Sequence, residues 1–237
     1  MELRMFDDLE HLSRAAAEVV VREAGRAVEA RGRFLLVLSG GGTPARLYGI
    51  LGESPLREAV PWDRVHVFWG DERCVPADHP DSNYALAQKT LLDRVPCPEA
   101  HVHRMAGELG ARAAADRYEM ELRDFFAPGG PEFDLVLLGM GPDGHTASLF
   151  PGQEVLDEKV RLTAPVQPPP SIRPAVPRLT LTPVAINAGR TALFLIAGPD
   201  KRDALGRIHD GRAPELPAAR VRPRDTLLFY VDRAAAG

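Results

Sequence analysis

The chain has 237 residues, 45% hydrophobic and 26% charged, enough apolar content to bury a large core without staples. Its net charge of −4 excludes any general attraction to nucleic acid or anionic membrane, so an anionic ligand needs a local site. Two cysteines, Cys74 and Cys97, make no disulfide framework, and no apolar run approaches the ~20 residues of a membrane span.

In chain order, Asp7 to Ala30 reads as a helix, with Leu9, Leu12, Ala16, Val19, Val20 and Ala27 at helical spacing and Gly32 as the stop. Phe34 to Leu38 is a continuous apolar run, the pattern of a strand buried on both faces. It is the first strand expected, which leaves no N-terminal segment for a DNA-binding domain. Ser39-Gly40-Gly41-Gly42-Thr43-Pro44 follows, then a helix from about Ala45 to Leu51. Val65 to Trp69 is a second strand, ending in Gly70-Asp71-Glu72-Arg73. Ser82 caps a helix to about Leu92, and Arg112 to Phe126 is another helix. Phe133 to Leu138 is a third strand, and a loop from Gly139 to Pro151 follows it. Val166 to Pro177 is proline-rich and reads as an irregular surface loop, with an interdomain linker as the alternative. Arg178 precedes a strand-like piece, Leu179 to Pro183. Thr191 to Ala197 is a fourth strand, Pro199-Asp200 opens a helix through about Ile208, and Thr226 to Val231 is a last strand.

Strands alternating with helices predict an α/β fold: a mostly parallel sheet covered by helices on both faces, three-layered and Rossmann-like. All 237 residues are read as one domain. MELRMFDDLE lacks the layout of a signal peptide, and the expected location is cytoplasmic.

Ligands of such sheets bind beyond the carboxyl ends of the strands, and three successive strands end there in unusual loops. SGGGTP can offer backbone N–H groups and a helix N-terminus to an anion, although a tight turn also uses glycine. It lacks the Gly-Lys-Ser/Thr ending of a P-loop and is not the dinucleotide fingerprint. GDER offers Asp71 and Glu72 beside Arg73, which can grip a phosphate or carboxylate with two bonds. A solvated ion-pair cluster would look the same. GMGPDGH places Asp143 and His145 in a glycine turn directly after a strand. Histidine suits general-base work near neutral pH, and a carboxylate can orient it. Spacing leaves open whether Asp143 reaches His145 or faces the ligand. Arg178 and Lys201 are basic residues at the same edge, able to neutralise a phosphate. His101 and His103 have a spacing zinc can use, but no third ligand is evident and no metal is expected. Trp62 and Trp69 read as core residues.

Taken together, SGGGTPARLY, FWGDERCVPADHPDSNYALA, DLVLLGMGPDGHTASLFPG and RLTLTPVAINAGRTALFLIAGPDK resemble the 6-phosphogluconolactonases, in order from about Leu38 to Lys201. The resemblance implies a fold shared with glucosamine-6-phosphate deaminases and ribose-5-phosphate isomerases. It implies hydrolysis of 6-phospho-D-glucono-1,5-lactone in the oxidative pentose phosphate pathway, without cofactor or metal. It makes His145, Asp143 and Arg73 the catalytic candidates, with His145 as general base. The substrate-binding candidates are Gly41, Gly42, Thr43, Asp71, Arg178 and Lys201. The deaminases carry a glutamate shortly before the loop's proline, serving a proton relay; Phe150 stands there in this chain. The expected partner is a small sugar phosphate, not nucleic acid or membrane, and the expected assembly is a monomer or small homo-oligomer. A deaminase or isomerase and a non-catalytic sugar-phosphate sensor are the rival readings.

Overall fold

The computed structural model describes residues 2–237. Among the described residues nine strands occur: β1 (Glu2–Phe6), β2 (Phe34–Leu38), β3 (Val65–Trp69), β4 (Asp71–Arg73), β5 (Leu135–Gly139), β6 (Thr163–Val166), β7 (Arg178–Leu181), β8 (Thr191–Ile196) and β9 (Thr226–Asp232). The α-helices are α1 (Leu9–Arg31), α2 (Gly42–Leu51), α3 (Leu56–Ala59), α4 (Asn83–Thr90), α5 (Ala111–Phe125), α6 (Pro183–Asn187), α7 (Arg202–His209) and α8 (Arg233–Ala236).

Six strands form one sheet in the order β1-β9-β8-β5-β2-β3, and every pairing in it is parallel. All five residues of β2 and all six of β8 are buried. Successive side chains point to opposite faces, so total burial requires cover on both sides. The long helix α1 begins at Asp8, whose carboxylate accepts the His11 N–H, and ends at Gly32 in the left-handed region. Ser82 caps α4 by accepting the Ala85 N–H. Trp62 and Trp69 are both buried in the core, and both cysteines are free thiols.

The structure corrects the sequence reading in four places. The first strand is β1, not Phe34–Leu38. Its residues alternate poorly and are largely exposed, and its order comes from the ladder with β9, which no local pattern announces. Asp71 to Arg73 is a strand rather than a loop, because β7 supplies an antiparallel ladder. Val166 ends strand β6, so the proline-rich stretch is the connection between β6 and β7, which pair antiparallel. Arg178 lies inside β7 rather than before it. The three short strands make a second sheet, β4-β7-β6, joined to the first where β3 runs through Gly70 into β4.

Candidate active site

The carboxyl ends of β2, β3, β5 and β8 converge on a cavity of about 290 Å³. Its lining brings together Gly41, Gly42 and Thr43 after β2, Asp71 and Arg73 on β4, His145 after β5, Arg178 on β7 and Lys201 after β8. Asp143 is not in the lining. It stands behind His145.

The loop after β5 is folded around that pair. Gly141 N–H donates to the His145 carbonyl (2.9 Å), and Gly144 N–H donates to the Gly141 carbonyl (3.0 Å). Asp143 Oδ1 is 2.5 Å from His145 Nδ1 and also accepts the His145 backbone N–H at 3.2 Å. A side chain at position 141 would displace the pair, since a Cβ there would stand 2.1 Å from His145 Nδ1 and 2.8 Å from Asp143 Oδ1. Burial pushes the Asp143 carboxyl up, but its bonds to His145 and the imidazole charge outweigh this and hold it below the usual range. With Nδ1 engaged, Nε2 is the nitrogen left for chemistry, and it makes no hydrogen bond among the described residues. Phe150, fully buried, packs against the imidazole with ring centroids 4.9 Å apart.

The arginines face each other. Arg73 on β4 pairs directly with Arg178 on β7. Like charges opposite one another on adjacent strands destabilise a sheet unless an anion joins them. Arg73 gives one N–H to the Asp81 carbonyl (2.6 Å), and Arg178 one to the Pro174 carbonyl (3.1 Å). The Nε of each is buried without a partner. Arg178 is 3% exposed and lies over the Phe150 ring, 5.7 Å from its centroid. Burial lowers the pKa of its guanidinium; Asp71 opposes that shift and the Arg73 charge adds to it. Lys201 Nζ is bonded to the Asp200 carboxylate.

Asp71 is buried, accepting Ser148 Oγ at 2.6 Å and Asn83 Nδ2 at 3.1 Å. Glu72 turns away from the cavity. It accepts the N–H groups of Arg73, Asn83 and Tyr84 and the Ser82 hydroxyl, so it is neither a site residue nor part of a solvated cluster. On α2, Tyr48 is fully buried; its hydroxyl donates to the Ser39 carbonyl (2.6 Å) and accepts the Ser39 N–H (2.9 Å). That latch fixes the start of the glycine loop.

Sequence reasoning passed over Tyr48, Asn83 and Ser148. Tyr48 sits in an apolar helix stripe, and only its hydroxyl distinguishes it from core. Ser82 marks a helix start without revealing that Asn83 turns inward.

The histidines at 66, 101 and 103 lie together, outside the lining of the cavity. His103 Nδ1 faces Glu121 (3.0 Å), His66 Nδ1 faces His103 Nε2 (3.1 Å), and His101 Nδ1 faces the Val65 carbonyl (3.1 Å). Both ring nitrogens of His103 and the Nδ1 atoms of His66 and His101 are thus already engaged. Among the described residues no three ligating side chains are placed to hold a metal.

The family model for glucosamine-6-phosphate isomerases/6-phosphogluconolactonase matches residues 7–230. The chain belongs to that family. A 6-phosphogluconolactonase of Nostoc sp. is 40% identical over 224 residues, covering 92% of this chain and 90% of the relative. The crystal structure of a Thermotoga maritima 6-phosphogluconolactonase superposes with a TM-score of 0.86 at 33% identity, covering 98% of this chain and 99% of that one. A monomeric glucosamine-6-phosphate deaminase superposes with a TM-score of 0.85 at 22% identity, covering 100% and 99%, which shows a shared fold. The family model itself names two chemistries, and the residues around His145 must separate them. Phe150 has no titratable group and is shut in the core, so this family member lacks a proton carrier at that point of the loop.

Proposed function

We propose that this cavity hydrolyses 6-phospho-D-glucono-1,5-lactone to 6-phospho-D-gluconate, the lactonase step of the oxidative pentose phosphate pathway. The observation that carries the reading is the Asp143–His145 pair. It leaves one imidazole nitrogen without a partner in a cavity lined by Arg73, Arg178 and Lys201.

Arg178, Lys201 and the Gly41–Thr43 loop hold the 6-phosphate, where the positive end of α2 adds to the side-chain charges. Lys201 exchanges Asp200 for the phosphate on binding. Asp71, acceptor-only when ionised, takes hydroxyl donors of the sugar. His145 Nε2 removes a proton from water as the water oxygen attacks C1. The C1 oxygen gains the negative charge, and Arg73 or nearby backbone N–H groups stabilise it. The oxyanion collapses, the bond from C1 to the ring oxygen breaks, and His145 returns its proton to that oxygen. Asp143 holds the imidazole tautomer and balances the imidazolium that forms between the two transfers. Hydrolysis changes no oxidation state, so the reaction needs no redox cofactor.

On this reading the 237 residues act as one domain, in the cytoplasm, as a monomer or small homo-oligomer. Phe150 disfavours the deaminase, because ring opening and isomerisation need a further proton carrier. The decisive assay supplies freshly made phospholactone and, separately, glucosamine 6-phosphate. Lactone turnover above the spontaneous rate with no ammonia release is the expected result. Ammonia release with no lactone turnover would overturn the reading. Lys201→Ala should raise KM for the phosphorylated lactone and affect unphosphorylated gluconolactone far less; equal losses would remove Lys201 from the phosphate site.

A further inference from the structure

Gly40 has no room for a side chain. A Cβ there would stand 1.8 Å from Asn83 Oδ1 and 2.7 Å from Asn83 Nδ2. Asn83 is 2% exposed and lies in the first turn of α4. Its Nδ2 donates to the Asp71 carbonyl (2.9 Å) and to Asp71 Oδ1 (3.1 Å). Those two acceptors fix which way the amide faces, and they turn Oδ1 toward Gly40, where it finds no donor. One side chain thus fills the gap between the loop after β2 and the strand that follows β3. The helix start does not require it, since Ser82 and Glu72 already take the free N–H groups there. An amide meets both demands: N–H donors for Asp71 at one end, and a small uncharged face against Gly40 at the other.

We propose that Asn83 is a positioning residue of the active site, setting the distance between the glycine loop and the Asp71 carboxylate and hence the fit of the phosphorylated lactone. The proposal rests on the lactonase reading above.

The test measures steady-state kinetics on the phospholactone for wild type, Gly40→Ala, Asn83→Ala and the double variant. Gly40→Ala pushes the loop off the amide, and KM rises roughly tenfold with a smaller change in kcat, the size of coupling seen between touching residues. Removing the amide as well relieves the clash. The double variant then shows a lower KM than Gly40→Ala alone. Wild-type KM in Gly40→Ala, or independent effects of the two substitutions, overturns the proposal. Lack of turnover in the wild type instead removes the lactonase reading, so the two failures are distinct. Asn83→Asp covers the case in which Gly40→Ala does not fold. It keeps the shape against Gly40 but sets a second carboxylate beside Asp71, and two such groups share a proton. Its kcat/KM gains an ionisation that the wild type lacks; an unchanged pH profile and KM overturn the proposal.

Discussion

Asp143 Oδ1 and His145 Nδ1 lie 2.5 Å apart, closer than most hydrogen bonds between a carboxylate and an imidazole, and both belong to one glycine turn. The turn builds an acid–base pair from residues two apart, without help from a distant element. Its work is orientation and charge balance. Asp143→Asn keeps the shape but removes the charge and allows the wrong tautomer, so kcat should fall by about 10²-fold or more with KM little changed. Stopped-flow or continuous titration of released acid reads this directly. A variant with wild-type kcat would assign Asp143 to the loop's folding alone.

Glu72 is predicted to matter for stability rather than turnover. Its carboxylate accepts three backbone N–H groups and one hydroxyl, and burial pushes its pKa up while those donors pull it down. Glu72→Gln turns part of the acceptor into a donor facing other donors. Stability should drop by about 1–3 kcal/mol, seen as a lower Tm, with kcat unaffected once folded. An unchanged Tm would mean the bonds to Glu72 are not made in solution.

The Tyr48 latch gives a third expectation. Tyr48→Phe removes one oxygen and leaves the buried N–H and C=O of Ser39 without partners, at a cost of about 1–3 kcal/mol. KM for the phosphorylated lactone should rise, because the glycine loop loses its anchor. Equal KM in wild type and variant would separate the latch from ligand binding.

Acid should weaken the fold through His66. Burial, with the charges of His101, His103 and Arg33 adding to it, pushes the His66 imidazole down to about 4, against 6.5 when unperturbed. The folded state therefore binds that proton less readily than the unfolded chain. Its contribution to stability is complete above about pH 6.5 and is lost as pH falls toward 4. Tm measured across that window should decline in the wild type, and less steeply in His66→Phe. Parallel declines would contradict the assignment.

Much of this fold could be read from the chain because its central strands are continuous apolar runs. Phe34–Leu38, Leu135–Gly139 and Thr191–Ile196 announce burial on both faces whatever their partners are. The strands that escaped notice are those whose order comes from a neighbour: β1 from β9, β4 and β6 from β7. The site divides in the same way. Gly41, Gly42, Thr43, Asp71, Arg73 and His145 follow strand ends and could be picked out by position. Tyr48, Asn83 and Ser148 act through hydrogen bonds and close approaches that only the packed chain brings about. The facing of Arg73 and Arg178 needed the strand register, which no spacing along the chain contains.

The measurement that bears most directly on the central claim is kcat of His145→Ala on fresh phospholactone, corrected for spontaneous hydrolysis, with Tm recorded on the same preparation. General-base work of this kind contributes typically ~10²–10⁴-fold, so kcat should fall by that factor while Tm stays near wild type. Wild-type turnover in a folded His145→Ala variant would contradict the account.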